Sequence, residues 1–216
     1  MPCPLAYSIF MRKSSSSTSR KKSSRNKSSN RKARLLSRRE VYRGPAFSVT
    51  TDDVLEPSGI RARRDIVHHT GSIVVLAIDE SRKETEPQIL FERQYRHAAE
   101  RYLWELPAGR IDKGEKELAA AKRELLEETG YSAARWKRII RFWASPGFVA
   151  EAMSIFLAQN LRAGKAQPEA DEAIQVSFIP LSKAVRMVMN QTIRDAKTIS
   201  GVLWLAQTRN FRKGKK

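Results

Sequence analysis

The chain has 216 residues, 41% of them hydrophobic, and a formal net charge of +18, which suits one ordinary folded domain with tails. Its single cysteine, Cys3, excludes an intrachain disulfide and a cysteine-based zinc cluster, and no apolar run approaches the ~20 residues needed to span a bilayer. The charge is unevenly spread: residues 1–40 carry 12 Lys/Arg against Glu40 alone, residues 209–216 carry five and no acid, and residues 41–208 hold 24 against 22 acids. The basic character therefore belongs to the ends and not to the body.

Residues 1–40 are rich in Ser, Arg and Lys, as in "RKSSSSTSRKKSSRNKSSNRKAR". Such a segment buries too little apolar surface to offset its ordering entropy and is expected to be disordered. Three readings stay open for it: a solvated tail or overlong start, an arm that binds nucleic acid or another polyanion weakly, and an organelle-targeting peptide. Order is expected from Val41. "VYRGPAFSVTTDDVL" and "IRARRDIVHH" read as an antiparallel pair across the turn signal "EPSG", giving an N-terminal β subdomain over 41–70. A main domain follows over 71–208. In it "SIVVLAID" is a short continuous apolar run, hence a buried strand, and "QILFERQYR" is its partner. "RYLWELPAG" is extended and broken by Pro107 and Gly109.

One helix is predicted at about 115–129, closed by Gly130 as a C-terminal cap. "RIIRFWAS" and "AMSIFLAQNL" read as strands flanking the loop "SPGFVAE", and "EAIQVSFIPL" as another. "LSKAVRMVMN" is a helix with Ser182 as N-cap, "AKTISGVLWLAQTR" is a terminal helix, and 209–216 is a basic tail. Strands, a helix, more strands and then helices predict a mixed sheet with helices packed on it, an α+β or α/β/α sandwich.

The 115–129 helix carries the chemistry. Glu124 and Glu128 lie one turn apart with Glu127 beside them. A like-charge i,i+4 pair costs roughly 0.2–0.5 kcal/mol, and the C-terminal half of a helix disfavours negative charge. A salt-bridged amphipathic helix, which the spacing of Lys113 and Glu117 allows, accounts for neither. A divalent cation accounts for both: Mg2+ takes one or two carboxylates, waters and substrate phosphates. The helix then serves as a metal platform for a phosphate-bearing substrate.

From Gly109 the spacing is G-x5-E-x7-R-E-L-x-E-E-x-G-Y, ending at Tyr131, with Gly109, Glu115, Arg123, Glu124, Glu127, Glu128 and Gly130 in the fixed places. This stretch, 109–131, resembles the Nudix box. The flanks "RRDIVHHTGSIVVLAID", "RQYRHAAERYLWELPAG" and "ASPGFVAEAMSIFLA" resemble segments of ADP-ribose pyrophosphatases and related nucleoside-diphosphate-sugar hydrolases. Pro146, 16 residues after Gly130, has the spacing of the proline associated with the ADP-ribose branch. The resemblance spans nearly all of 41–208.

It implies a Nudix α/β/α sandwich with metal on Glu124, Glu128 and the carbonyl of Ala108, and Glu127 nearby. The metal is Mg2+, with Mn2+ as its substitute. Arg123 braces Glu115 or Glu127. A further carboxylate from "QPEADEAIQV" completes the site as general base: Glu172 is favoured, with Glu169 and Asp171 as alternatives. Where the family often has a second acid, this chain has Gln175, which leaves the identity of the base open. Arg96 matches a family arginine on the diphosphate, Glu151 a residue near the terminal ribose, and Arg64 is a weaker phosphate-side candidate. Glu105 is assigned to support the box loop, and His68, His69 and His97 to structure.

The implied activity is Mg2+-dependent hydrolysis of ADP-ribose to AMP and ribose 5-phosphate. The alternative within enzymes is a broader nucleoside-diphosphate-sugar pyrophosphatase. An alternative of a different class is a nucleic-acid-associated protein acting through its basic tails; the near-neutral body speaks against it. The resemblance further implies a homodimer with its N-terminal strands exchanged between subunits. A cytoplasmic location and no membrane partner are expected, organelle targeting by residues 1–40 staying open.

Overall fold

The computed structural model describes residues 31–81, 86–167 and 173–213, with side chains in the last helix through Arg209. Strand β1 (Arg34–Arg43) pairs antiparallel with β2 (Ser48–Leu55), and β2 with β3 (Arg61–His68). The "EPSG" turn closes the second hairpin, the Gly59 N–H donating to the Glu56 carbonyl at 2.8 Å. Order therefore begins before Val41, and the 1–40 tail boundary is corrected. Every residue of β1 is exposed, which is why its composition reads as a solvated tail. Its partner holds it in place: Arg38 forks Asp52 at 2.8 and 2.6 Å, and Ser37 Oγ donates to Asp53 at 3.1 Å. The acids that balance a basic strand lie on the next strand, out of reach of a composition window. The rest of the expected tail, 1–30, lies outside the described residues.

The main sheet uses β4 (Ser72–Asp79), β5 (Gln88–Arg96), β6 (Arg101–Glu105), β7 (Ala108–Arg110), β8 (Tyr131–Trp143), β10 (Ala152–Ala163) and β11 (Gln175–Pro180). Its order is β11-β5-β4-β10-β8, with β6 on β5 and β7 on β4. Strands β4 and β10 run parallel and the other pairs antiparallel. A short β9 (Val149–Ala150) joins β3 in the smaller sheet.

Three helices cover the faces: α1 (Glu117–Thr129), α2 (Leu181–Met189) and α3 (Ala196–Lys213). Because strand side chains alternate, β4, buried from Ser72 to Ile78, feeds two cores. Val74, Leu76 and Ile78 meet Met187, Ile193, Val202 and Leu205 on the α2/α3 side. Ile73, Val75 and Ala77 meet Ala120, Ala121 and Leu125 of α1 on the other. The result is the expected α/β/α sandwich with a mixed sheet.

Gly130 ends α1 with φ +75, its N–H donating to the Leu126 carbonyl at 2.9 Å. A Cβ there would stand 2.6 Å from the Ala166 backbone nitrogen, so glycine is required on two counts. Ser182 does not cap α2. Glu86, before β5, accepts from its backbone N–H (2.6 Å) and its hydroxyl (2.8 Å), and a carboxylate suits the positive end of a helix. The basic tail predicted from 209 is also corrected: α3 runs to Lys213, and Arg209 pairs with Glu80. Arg and Lys are good helix formers, and cations suit the last turn of a helix. Among the described residues, no helix is long and apolar enough to cross a membrane.

Candidate active site

The edge of the sandwich where β7 leads into α1 holds a cavity of about 530 Å3. Strand β7 is tied to β4 through Val74 and Ala108, and the Pro107 carbonyl accepts from the Val75 N–H at 2.8 Å. This brings the start of the box against the helix that ends it. The Ala108 N–H donates to Glu128 Oε2 at 3.2 Å. A Cβ on Gly109 would overlap the Glu124 carboxyl group, so the missing side chain is the space that carboxylate uses.

Arg123 organises the acids. It gives Nε and Nη2 to Glu115 at 3.1 and 3.0 Å, and Nη1 to Glu124 at 2.8 Å and Glu127 at 3.1 Å. A further N–H reaches the Arg110 carbonyl at 3.1 Å. These bonds, foremost those to Glu115, raise the Arg123 pKa far above its ordinary value, and Arg123 in return lowers that of Glu115. One guanidinium therefore braces both acids proposed for it and holds Glu124 as well. Glu117 faces elsewhere, toward Arg138 at 2.9 Å and Arg141 at 3.7 Å on β8.

Arg123, Glu124, Glu127, Glu128 and Ala108 all line the cavity. Among the described residues no three Asp, Glu, His or Cys side chains form a metal-ready cluster. The carboxylates of Glu124 and Glu128, one helical turn apart with Glu127 beside them, could serve as donors. Hard oxygen donors of this kind fit a cation that completes its shell with water and substrate phosphates.

Arg96 and Lys197 also line the cavity. Arg96 donates Nε and Nη2 to Glu105 at 2.9 and 3.1 Å, and Lys197 Nζ bonds the same carboxylate. Glu105 is 2% exposed. Burial pushes its carboxyl up, but the two cations outweigh burial and hold it below its ordinary value. Burial likewise pulls Arg96 down, and the bond to Glu105 reverses the effect. Glu105 thus supports Arg96, the cation beside the box, as well as leading into the box loop.

Glu151 joins the site through two lining residues: it accepts from Ser72 Oγ at 2.6 Å and lies 3.5 Å from His69 Nδ1. Arg64 does not line the cavity; it is half exposed on β3 and pairs with Glu56 at 2.6 Å. Glu172, Glu169 and Asp171 lie outside the described residues. Gln167, two residues before Glu169, lines the cavity and donates its N–H to the Glu127 carbonyl at 2.8 Å.

Sequence reasoning missed Lys197, Ser72, His69 and Gln167. Lys197 stands 92 residues from Glu105, and nothing local marks it. His69, assigned to structure, is a wall residue, while His68 bonds Thr50 Oγ1 at 2.8 Å as a structural histidine does.

The chain matches the NUDIX domain over residues 68–200. It is 34% identical over 172 residues to an ADP-ribose pyrophosphatase of Bacillus subtilis, covering 79% of this chain and 90% of that protein. It is 32% identical over 149 residues to a GDP-mannose pyrophosphatase of Salmonella paratyphi B, covering 65% and 75%. Its fold is similar to the crystal structure of an ADP compounds hydrolase, with a TM-score of 0.71 at 22% identity, over 86% of this chain and 96% of the other.

Proposed function

This chain belongs to the NUDIX domain family, and from that premise we propose that it hydrolyses ADP-ribose to AMP and ribose 5-phosphate. The observation that carries the proposal is one cavity lined both by Arg96, braced on Glu105, and by the box carboxylates Glu124, Glu127 and Glu128. A diphosphate ester needs cations for its oxygens and acids that handle metal and water. The share of the B. subtilis ADP-ribose pyrophosphatase that this chain covers favours ADP-ribose. The GDP-mannose relative keeps a broader nucleoside-diphosphate-sugar range as the second reading.

Glu124, Glu128 and the Ala108 carbonyl would hold Mg2+, or Mn2+ in its place, and when bound the ion would supply positive charge for the diphosphate and Lewis acidity for the hydrolysis. Arg123 keeps Glu124 and Glu127 oriented. Arg96 grips diphosphate oxygens, and Glu151, set by Ser72, faces the terminal ribose. Glu172 takes the proton from water as its oxygen bonds to one phosphorus. The P–O–P bridge breaks and the other phosphate leaves with the bridging oxygen, so one water is consumed per AMP and ribose 5-phosphate formed.

We assign the working unit as a cytoplasmic homodimer. Arg64 would serve substrate only across such a dimer, since it lies away from the cavity of its own chain. Weak polyanion binding is assigned to the basic residues at the two ends. The test is a panel of diphosphates incubated with Mg2+ and its products identified. ADP-ribose should be the best substrate, yielding AMP. Faster turnover of GDP-mannose or another nucleotide sugar would select the broader reading.

A further inference from the structure

We propose that Lys197 is a positioning residue: through Glu105 it sets the direction of the Arg96 fork in the catalytic cavity. The proposal rests on the reading of Arg96 as a diphosphate ligand. A glutamate carboxylate turns easily about its last torsion, which is broad and roughly two-fold. A bidentate arginine lies in the plane of the carboxylate it grips, so whatever fixes the plane of Glu105 fixes the plane of Arg96. Lys197 supplies that second hold. Its Nζ bonds Glu105 Oε2, the oxygen that also accepts Arg96 Nη2 at 3.1 Å.

Lys197 is itself anchored. Its side chain is 12% exposed, and Nζ donates to Asp195 Oδ1 at 2.9 Å. Asp195 caps α3, its Oδ2 accepting from the Thr198 N–H at 3.0 Å and hydroxyl at 2.6 Å. The Thr198 hydroxyl oxygen accepts from the buried Leu106 N–H at 2.9 Å. The first turn of α3 is thereby tied both to the Glu105 carboxylate and to the backbone one residue beyond it. Arg96, with 39% of its side chain exposed, has many rotamers to lose. The Lys197–Glu105 contact removes that freedom before substrate arrives, which is pre-organisation of the anion seat.

The experiment measures ADP affinity by calorimetry in EDTA and steady-state ADP-ribose kinetics in Mg2+, for wild type, Lys197→Met, Arg96→Gln and the double variant. Lys197→Met should raise the ADP Kd and the ADP-ribose KM about tenfold with kcat changed less than about threefold, the pattern of lost binding. The double variant should be no weaker than Arg96→Gln alone, because both act through one group. Lys197→Gln, which keeps an N–H donor toward Glu105, should fall between wild type and Lys197→Met, and it serves if the methionine variant does not fold. Val202→Ala, in the core on the same helix, should lower Tm without moving the ADP Kd, separating positioning from general destabilisation. An ADP Kd within twofold of wild type for a folded Lys197 variant, or losses that multiply in the double variant, overturns the proposal. If wild type does not turn over ADP-ribose, the assigned reaction fails, while the ADP affinities still decide the role of Lys197.

Discussion

The Glu124 carboxylate occupies the place where Gly109 would carry a side chain. Two residues 15 positions apart in sequence thus share one volume, and the first fixed position of the box exists to admit the acid of another. Gly109→Ala should displace that carboxylate at little cost to the fold, because the group that must yield is the end of a flexible side chain. Activity should fall by about 100-fold, as misplacement by about 1 Å can cause, while Tm stays within a few degrees. A variant with near wild-type turnover would show that Glu124 is not needed where it stands.

Glu128 is 6% exposed and accepts the Ala108 N–H. Glu128→Gln keeps the shape and an acceptor for that bond and removes the charge. It should stay folded and lose most activity, by about 100-fold or more, in line with the loss of a group that stabilises transition-state charge. Turnover near wild type in saturating Mg2+ would sink the metal assignment.

The general base is tested by three single variants. Glu172→Gln should lower kcat by about 100-fold or more, as loss of a general base does, with little change in KM, and Glu169→Gln should do much less. If Glu172→Gln stays within a few-fold of wild type while Glu169→Gln or Asp171→Asn collapses, the base is placed on the wrong residue.

Acid stability should report on Glu105. Its folded-state pKa is lowered, so its contribution to stability is present above the unfolded value, near 4.3, and is lost as pH falls through the folded value. Wild type should therefore lose Tm steeply below about pH 4. Glu105→Gln should start lower and show a flatter profile over that window. Parallel profiles for the two proteins would mean that Glu105 is not the titrating group.

Removal of residues 1–33 should leave ADP-ribose turnover and Tm unchanged and weaken binding to single-stranded nucleic acid at low salt, since phosphate contacts are salt-dependent. Removal of 1–40 should also lower Tm, because it takes away most of β1 and the Arg38–Asp52 fork. Equal nucleic-acid affinity at 0.2 M salt with and without residues 1–33 would move the polyanion contact elsewhere.

Much of this protein was legible along the chain, because the governing interactions are local. The apolar run from Ile73 to Ile78 in "SIVVLAID" announces a strand covered on both faces. The like charges at 124 and 128 mark a helix face that does more than pack, and both line one cavity, while Gly130 marks the helix end where only a left-handed residue fits. The resemblance to the family was legible in the same short spacings. Long-range pairing decided the rest. Composition placed β1 in a tail because its balancing acids, Asp52 and Asp53, lie on the neighbouring strand. Ser182 looked like a cap until Glu86, 96 residues away, supplied a better acceptor. Lys197 carries no local mark at all; it reaches the buried Glu105 carboxylate because Thr198 ties the first turn of α3 to Leu106, one residue beyond β6. A side chain's identity sets what it can bond, but the distance to its partner is set by packing, and packing is decided by residues far away in sequence.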